Sequence, residues 1–288
     1  MFVVNSLPTH TPLNLPIYQA VSFDAPVNQG GSTNPWIIRV LTHRDTIEPY
    51  VVKLFTKRQI EQQHAVAKEV YGNLLACEFE LPVPDFALIE FGPEFMTTLS
   101  DEQLNRLKIC HGGLKYGSAL ATDMAIFKQG LLPSFLKEYN LGTIFAFDNL
   151  VQNLDRGGLR DKPNLLINDD NFLLIDHEQT FPFADDVDAD ASVDWSFDAT
   201  EWSKIYFAYH KHLLLPYLKE LRKTAKLEAF DTFQEHLRHL DIRTIRQAAR
   251  ELERLGVSIG HVDRITNYLS ETKARHTEFT NLLKTLIA

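Results

Sequence analysis

Lys53, Glu69, Asp155, Asn164 and Asp176 are the residues whose types and order could do chemistry together in this sequence. The most informative stretch is Asn164-Leu-Leu-Ile-Asn-Asp-Asp-Asn-Phe-Leu-Leu-Ile-Asp176, two apolar runs on either side of Asn168–Asn171. An apolar run, a polar turn and a second apolar run form a β-hairpin pattern. A turn closed around Asp169-Asp170 sets Asn164 opposite Ile175, and one closed around Asp169–Asn171 sets it opposite Asp176. Opposed residues lie about 4.5–5.5 Å apart at Cα, so either register brings an amide oxygen and a carboxylate to the open end of the hairpin. Hard oxygen donors of this kind hold Mg²⁺. Asp155, in Asn153-Leu-Asp155-Arg156, can reach the same place. Taken alone, Asn164 and Asp176 would serve equally well as caps of strand ends.

The other half of the chemistry is cationic. In Tyr50-Val-Val-Lys-Leu-Phe55, Val51, Lys53 and Phe55 share one face of an apolar strand. A lysine there is costly unless it meets an anion or water. Glu69 on the following helix is the candidate partner, with a snorkelling edge-strand lysine as the alternative. Upstream, the turn Gly30-Gly31-Ser32-Thr33 offers backbone N–H groups suited to phosphate oxygens, although two glycines by themselves often make only a turn. A glycine turn, a strand lysine, a helix glutamate, then Asp, Asn and a hairpin Asp is the order of parts used for phosphoryl transfer by kinases.

These residues need a scaffold. Pro35–Val40 and Tyr50–Phe55 are rich in β-formers, Gln59 to Cys77 has helical spacing, and Pro82–Phe91 enters a strand after a proline-marked turn. Gly92-Pro93 punctuates the end of this region. Beyond it the pattern is mainly helical, over Leu141–Gln152, Arg243–Leu255 and Val262–Leu286, interrupted by the hairpin. The expectation is an α+β, bilobal, protein-kinase-like fold: a small β-rich lobe over 1–92 carrying one helix, and a larger, mainly helical lobe over 93–288. With 288 residues, 44% hydrophobic and 23% charged, the chain can bury a substantial core and is no disordered tail. It contains no apolar stretch approaching the roughly 20 residues of a membrane span. Met1–Pro16 lacks the basic and apolar regions of a signal peptide, so a cytoplasmic protein is expected. Cys77 and Cys110 have no metal-type spacing and read as free thiols. A net charge of −9 argues against direct nucleic-acid binding. Residues 201–288 nevertheless carry 15 basic against 11 acidic residues, which reads first as a solvated helical surface.

The sequence resembles the HipA-like kinases, specifically the shorter HipA-related bacterial proteins that lack the separate N-terminal domain of the toxin HipA. The resemblance covers nearly the whole chain and rests on Gly30-Gly31-Ser-Thr-Asn-Pro35, Tyr50-Val-Val-Lys53-Leu, Lys68-Glu69, Leu81-Pro-Val-Pro84 and His111-Gly-Gly-Leu-Lys-Tyr-Gly-Ser118. Its most specific part is Phe147-Asp-Asn-Leu-Val-Gln-Asn-Leu-Asp-Arg156, with Pro163-Asn-Leu-Leu and Leu174-Ile-Asp-His177. The resemblance implies ATP and Mg²⁺ as cofactors. Lys53 would bind the α/β-phosphates and pair with Glu69. Asp155 would orient or deprotonate the acceptor hydroxyl, and Asn164 and Asp176 would hold Mg²⁺. Gly30, Gly31, Ser32 and Thr33 would cradle phosphates, and the backbone around Glu90, Phe91 and Gly92 would read adenine. It also implies a Ser/Thr protein acceptor, with a toxin–antitoxin or stress-response role and an antitoxin-like protein partner as an extension by analogy. A small-molecule or lipid kinase is the alternative enzyme, and a pseudokinase acting as a binding module is the alternative outside catalysis.

Three departures stand out. Asp155 and Asn164 are nine positions apart, whereas the kinase catalytic loop places them five apart, so Gly157–Lys162 must bulge outward. His177-Glu178 follows Asp176 where Phe-Gly is usual, and no His-Arg precedes Asp155. Other features are set aside. The run Asp185–Asp190 lacks the Gly and Glu of an EF-hand. His210, His212, His236 and His239 lack a completing zinc ligand and read as exposed helix residues. Cys110-His111 is too tight in sequence for a nucleophile pair. Ser32 or Thr33 could accept phosphate in an autophosphorylation switch.

Overall fold

The computed structural model describes residues 13–27, 33–131, 136, 139–157, 162–185 and 195–288. Strands β1 (Ile17–Pro26), β2 (Trp36–Leu41) and β3 (Ile47–Val52) form an antiparallel meander. Ile38, Val40 and Val52 point inward and are fully buried, alternating on β2 with exposed Arg39 and Leu41, the period of two expected of a sheet with one wet face. Register shifts between Ala20 and Ser22 and between Phe23 and Ala25 bend β1. Thr56 and Gln59 form a capping box on α1 (Lys57–Glu61). The single helix expected over Gln59–Cys77 is instead two. The chain turns at His64 (φ +51°) before α2 (Ala65–Glu78) begins, because the polar Gln62-Gln63-His64 stretch gives the helix nothing apolar to bury.

Strand β4 (Phe86–Glu90) follows the proline turn, and α3 (Pro93–Thr97) and α4 (Asp101–Leu107) lead on to β5 (Lys115–Ala119). Strand β5 pairs with both β3 and β4, and β4 runs parallel to β1, closing a barrel in the order β1-β2-β3-β5-β4. The fifth strand therefore comes from chain beyond Gly92. Trp36, Ile38, Val52 and Ile89 fill the interior of the barrel. A second, larger core takes in Val66, Val70 and Leu75 of α2 together with the helical half.

That half opens with β6 (Ala125–Ile126), α5 (Leu141–Leu150), β7 (Leu165–Ile167) and β8 (Phe172–Leu174). The last two strands pair as Leu165↔Leu174, Leu166↔Leu173 and Ile167↔Phe172, and β6 adds to β7. This is the register closed around Asp169-Asp170, and the amide of Ile175 bonds the carbonyl of Asn164 at 3.1 Å. Then come α6 (Ala199–Ile205), α7 (Leu215–Lys219), α8 (Lys223–Glu228), α9 (Asp231–His239), α10 (Arg243–Arg254), α11 (Val262–Ala274) and α12 (His276–Leu286). On α10, Ile245, Ala248, Ala249 and Leu252 make the buried stripe. The unbroken helix expected over Val262–Leu286 breaks at Arg275 (φ −107°, ψ 31°). The break turns α12 back so that Phe279 packs among Phe197, Trp202 and Phe233. The architecture is mixed α+β, with a β-rich N-terminal region and a helical C-terminal part.

Candidate active site

Lys53 stands one residue past β3. Its amide bonds the carbonyl of Tyr116 at 2.9 Å, continuing the ladder to β5. Its side chain is buried, and its ammonium donates to Glu69 from α2 and to Asp176 from the segment after β8, with Glu178 Oε2 3.6 Å away. Burial opposes the charge, but Asp176, Glu69 and Glu178 overcome it and hold the lysine pKa well above its usual value. Glu69 is pushed up to about 7 by its burial, which outweighs the lysine. Asp176 goes down, because Lys53 outweighs its burial, and Glu178 goes up through burial. The expected Lys53–Glu69 pair is thus one edge of a larger cluster.

Asn164 and Asp176 both adopt left-handed backbone conformations (φ 45° and 65°), which Asn and Asp tolerate better than most residues. Between Asp176 and Glu178, His177 is wholly buried against Gly72 of α2. A Cβ at position 72 would lie 2.4 Å from the Cβ of His177, so only glycine admits this approach. The amide of His177 also donates to Glu69 Oε2 at 3.0 Å. Burial lowers the pKa of His177 to about 3, with a contribution from Arg156, so the ring is a neutral wedge.

Asp155 follows α5 and is buried. Its Oδ2 accepts from Lys162 Nζ at 3.2 Å and from Asn164 Nδ2 at 3.3 Å, while its Oδ1 has no hydrogen-bond partner among the described residues. The amide of Gly157 bonds the carbonyl of Lys162 at 2.5 Å. This tie joins the ends of the loop and brings Asp155 to Asn164 despite the nine-residue spacing. Residues 158–161 lie outside the described residues. A second buried network, not evident from the sequence, surrounds Asp148. Asp148 of α5 accepts from Arg156 Nε at 2.6 Å, Asn153 Nδ2 at 2.9 Å and His212 Nε2 at 2.8 Å. Because Nδ1 of His212 accepts the amide of Leu214, its proton sits on Nε2 and points at the carboxylate. Burial opposes ionisation of Asp148, but Arg156 and His212 bring its pKa down to about 2. Arg156 also donates to the carbonyl of Asn164, which ties the network to the hairpin. His212, expected on a wet helix face, is thus a buried structural residue.

A cleft of about 230 Å³ lies between the barrel and the hairpin. Val27, Thr33, Val51 and Lys53 line one side, Asn164, Leu166 and Asp176 the other, and Ser118–Ala121 close it at the end of β5. Open depressions of about 680 and 510 Å³ lie elsewhere, one beside α10 and one beside β1, but neither gathers the lysine, asparagine and aspartate. Glu90 and Phe91, expected to line the adenine position, are not in this cleft. Strand β5 runs antiparallel to β4 with Ser118 opposite Phe86, so the cleft meets the other end of β4. Glu90 instead accepts from Gln19 at 2.5 Å, and Phe91 packs on Phe95. Gly30, Gly31 and Ser32 lie outside the described residues. The neck of their turn is closed by a 2.8 Å bond from Val27 N–H to the carbonyl of Pro35.

A barrel lysine bonded to a helix glutamate and a hairpin Asp, on a largely apolar cleft that an Asn also lines with a further Asp bonded behind it, has the layout of a phosphotransferase of the kinase class. The family model of the HipA-like kinases matches residues 25–211, and the chain belongs to that family. Among solved structures, the Helicobacter pylori proinflammatory kinase CtkA resembles it with a TM-score of 0.50 over 93% of this chain and 98% of that chain, at 11% sequence identity. Such a distant likeness speaks for the fold. A comparison with the curated proteins finds no match.

Proposed function

We propose that the chain is an ATP- and Mg²⁺-dependent phosphotransferase working across a cleft between two lobes. The division anticipated at Gly92 is better placed after β5, which completes the barrel. The observation that carries the reading is the convergence of Lys53, Asn164 and Asp176 from three separate segments on the lining of one cleft, with Asp155 buried behind it and bonded to Asn164 and Lys162 of that lining. Apolar walls and the backbone of Ser118–Ala121 suit a nucleobase. Lys53, held by Glu69, is the cation for nucleotide phosphates. Asp155, buried behind the cleft wall with Lys162 and Asn164 on its Oδ2, is the residue that would orient the acceptor hydroxyl through its unpartnered Oδ1. Asn164 and Asp176 present the oxygen chemistry that fits a hard divalent cation, whose charge would screen the phosphates when bound. The frame around Asp148 keeps Asp155 and Asn164 in register, so that most of the rate enhancement comes from positioning.

By family analogy the acceptor is a Ser/Thr hydroxyl on a protein and the setting is cytoplasmic, extending to a stress-response or toxin–antitoxin role with a neutralising protein partner. Among the described residues no helix is long and apolar enough to cross a membrane. The test is incubation with Mg²⁺ and γ-labelled ATP, alone and with host lysate. Label transferred by wild type and lost in Asp155→Ala and Asp176→Ala is the expected result. The labelled species then separates a protein acceptor from a small molecule or lipid. Nucleotide binding with no transfer to any acceptor would favour a pseudokinase.

A further inference from the structure

The lysine cluster has one carboxylate more than a lysine, a glutamate and one metal aspartate require. Glu69, Asp176 and Glu178 surround a single ammonium, so that when ionised the three carboxylates exceed the charge of Lys53, with Lys162 only partly offsetting them, at a site where Glu69 and Glu178 are almost fully buried. Excess charge of this kind is costly in a protein interior. One oxygen from each of the three carboxylates lies within 4.8 Å of the others. Hard cations bind oxygen at about 2.0–2.6 Å, so oxygens so spaced can share one ion.

Glu178 supplies an independent observation. It is 3% exposed, and its Oε2 has no hydrogen-bond partner among the described residues, facing only the Lys53 ammonium at 3.6 Å. Its orientation is set by its neighbour. His177 is taken into the core against Gly72, so the residues on either side of it face Lys53.

We propose that Glu178 is a further metal ligand, forming with Asp176 a carboxylate pair for a divalent cation, Mg²⁺ or Mn²⁺. Charge matching assigns the partners: Glu69 keeps Lys53, and the Asp176–Glu178 pair takes the ion. The ammonium now bonded to Asp176 stands where the ion competes for that oxygen. Metal binding therefore releases Lys53 from Asp176 and leaves it free for phosphate. The inference deepens the phosphotransferase reading and rests on its cleft, but its test needs no transfer.

The experiment is a Mn²⁺ titration of the whole chain without nucleotide, with free ion read by electron paramagnetic resonance. Wild type is expected to bind one equivalent, and Glu178→Gln to bind it at least tenfold more weakly, as does Asp176→Asn. Glu178→Asp, which keeps the charge on a shorter arm, should fall between and substitutes if the glutamine variant does not melt cooperatively. Wild-type affinity in Glu178→Gln or Glu178→Asp would overturn the proposal, and so would the absence of Mn²⁺ binding by wild type. Binding that depends on Glu178 in a protein that transfers no phosphate would count against the activity and leave the site standing.

Discussion

Two buried charged clusters meet the open end of the hairpin, one through Asn164 and one through Asp176, and they are built differently. Around Asp148 each carboxylate oxygen has a donor. One cation, Arg156, matches one anion, and Asn153 and His212 complete the shell. Around Lys53 three carboxylates share one ammonium, and an oxygen of Glu178 is left without a hydrogen bond among the described residues. The contrast lies in the carboxylates, since Arg156 Nη2 also lacks a hydrogen-bond partner among the described residues: an anion with every oxygen paired rigidifies, whereas an unpaired one is costly unless something else binds. The first cluster is a frame and the second is a site.

The strongest way to break this contrast is at the frame. Asp148→Ala leaves Arg156 buried without its counter-ion, and loss of one partner from a buried pair costs about 3–5 kcal/mol. Urea unfolding should show a loss of that order. A stability close to wild type would mean that Asp148 is no keystone. A smaller effect is expected at Gly72, where alanine places a methyl against His177. Overpacking of this kind costs about 1–3 kcal/mol, and because His177 separates Asp176 from Glu178, phosphotransfer should fall more than stability does. Equal losses in the two assays would show that the wedge does not position the carboxylates.

Acid sharpens the comparison, because Asp148 and Glu69 respond to it with opposite signs. Asp148 titrates low in the folded state, so its contribution is present above the ordinary carboxylate range and is lost as pH falls toward about 2. Glu69 titrates high, near 7, so the folded protein holds a proton that the unfolded chain releases, and stability falls as pH rises from the ordinary carboxylate range toward 7. Metal-free protein should therefore melt a few degrees higher near pH 5.5 than near pH 8, an order-of-magnitude expectation from linkage. Saturating Mg²⁺ should shrink the difference. A flat profile would remove the contrast. The smallest effect belongs to an exposed pair: Arg243→Ala, which breaks the contact with Asp241, should leave the urea midpoint indistinguishable from wild type.

What the sequence disclosed depended on how local the signal was. The hairpin, though not which of its two registers, a helix beginning at Leu141 and the nearness of Lys53 to Glu69 follow from spacings within a few dozen residues. Strand β5 was missed because Lys115-Tyr-Gly-Ser-Ala119 is short, holds a glycine and alternates poorly, while its partners β3 and β4 lie far back along the chain. Without β5, the strand end that borders the cleft was assigned to Glu90 and Phe91. His212 looked like a surface histidine because its partner, Asp148, is 64 residues away. Glu178 was visible as a departure after Asp176, but only the fold shows that it faces Lys53.

The attachment of α2 has a mechanical consequence. Tyr71 donates to the carbonyl of Ile259, His64 meets Ser258, and Thr244 reaches Glu78, so this helix is moored to the C-terminal half along its length. Lys53, in contrast, travels with the barrel. Asn73 of α2 bonds Tyr116 of the barrel at 2.7 Å, so the helix straddles the seam, and the Lys53–Glu69 ion pair is a second rivet between the two halves.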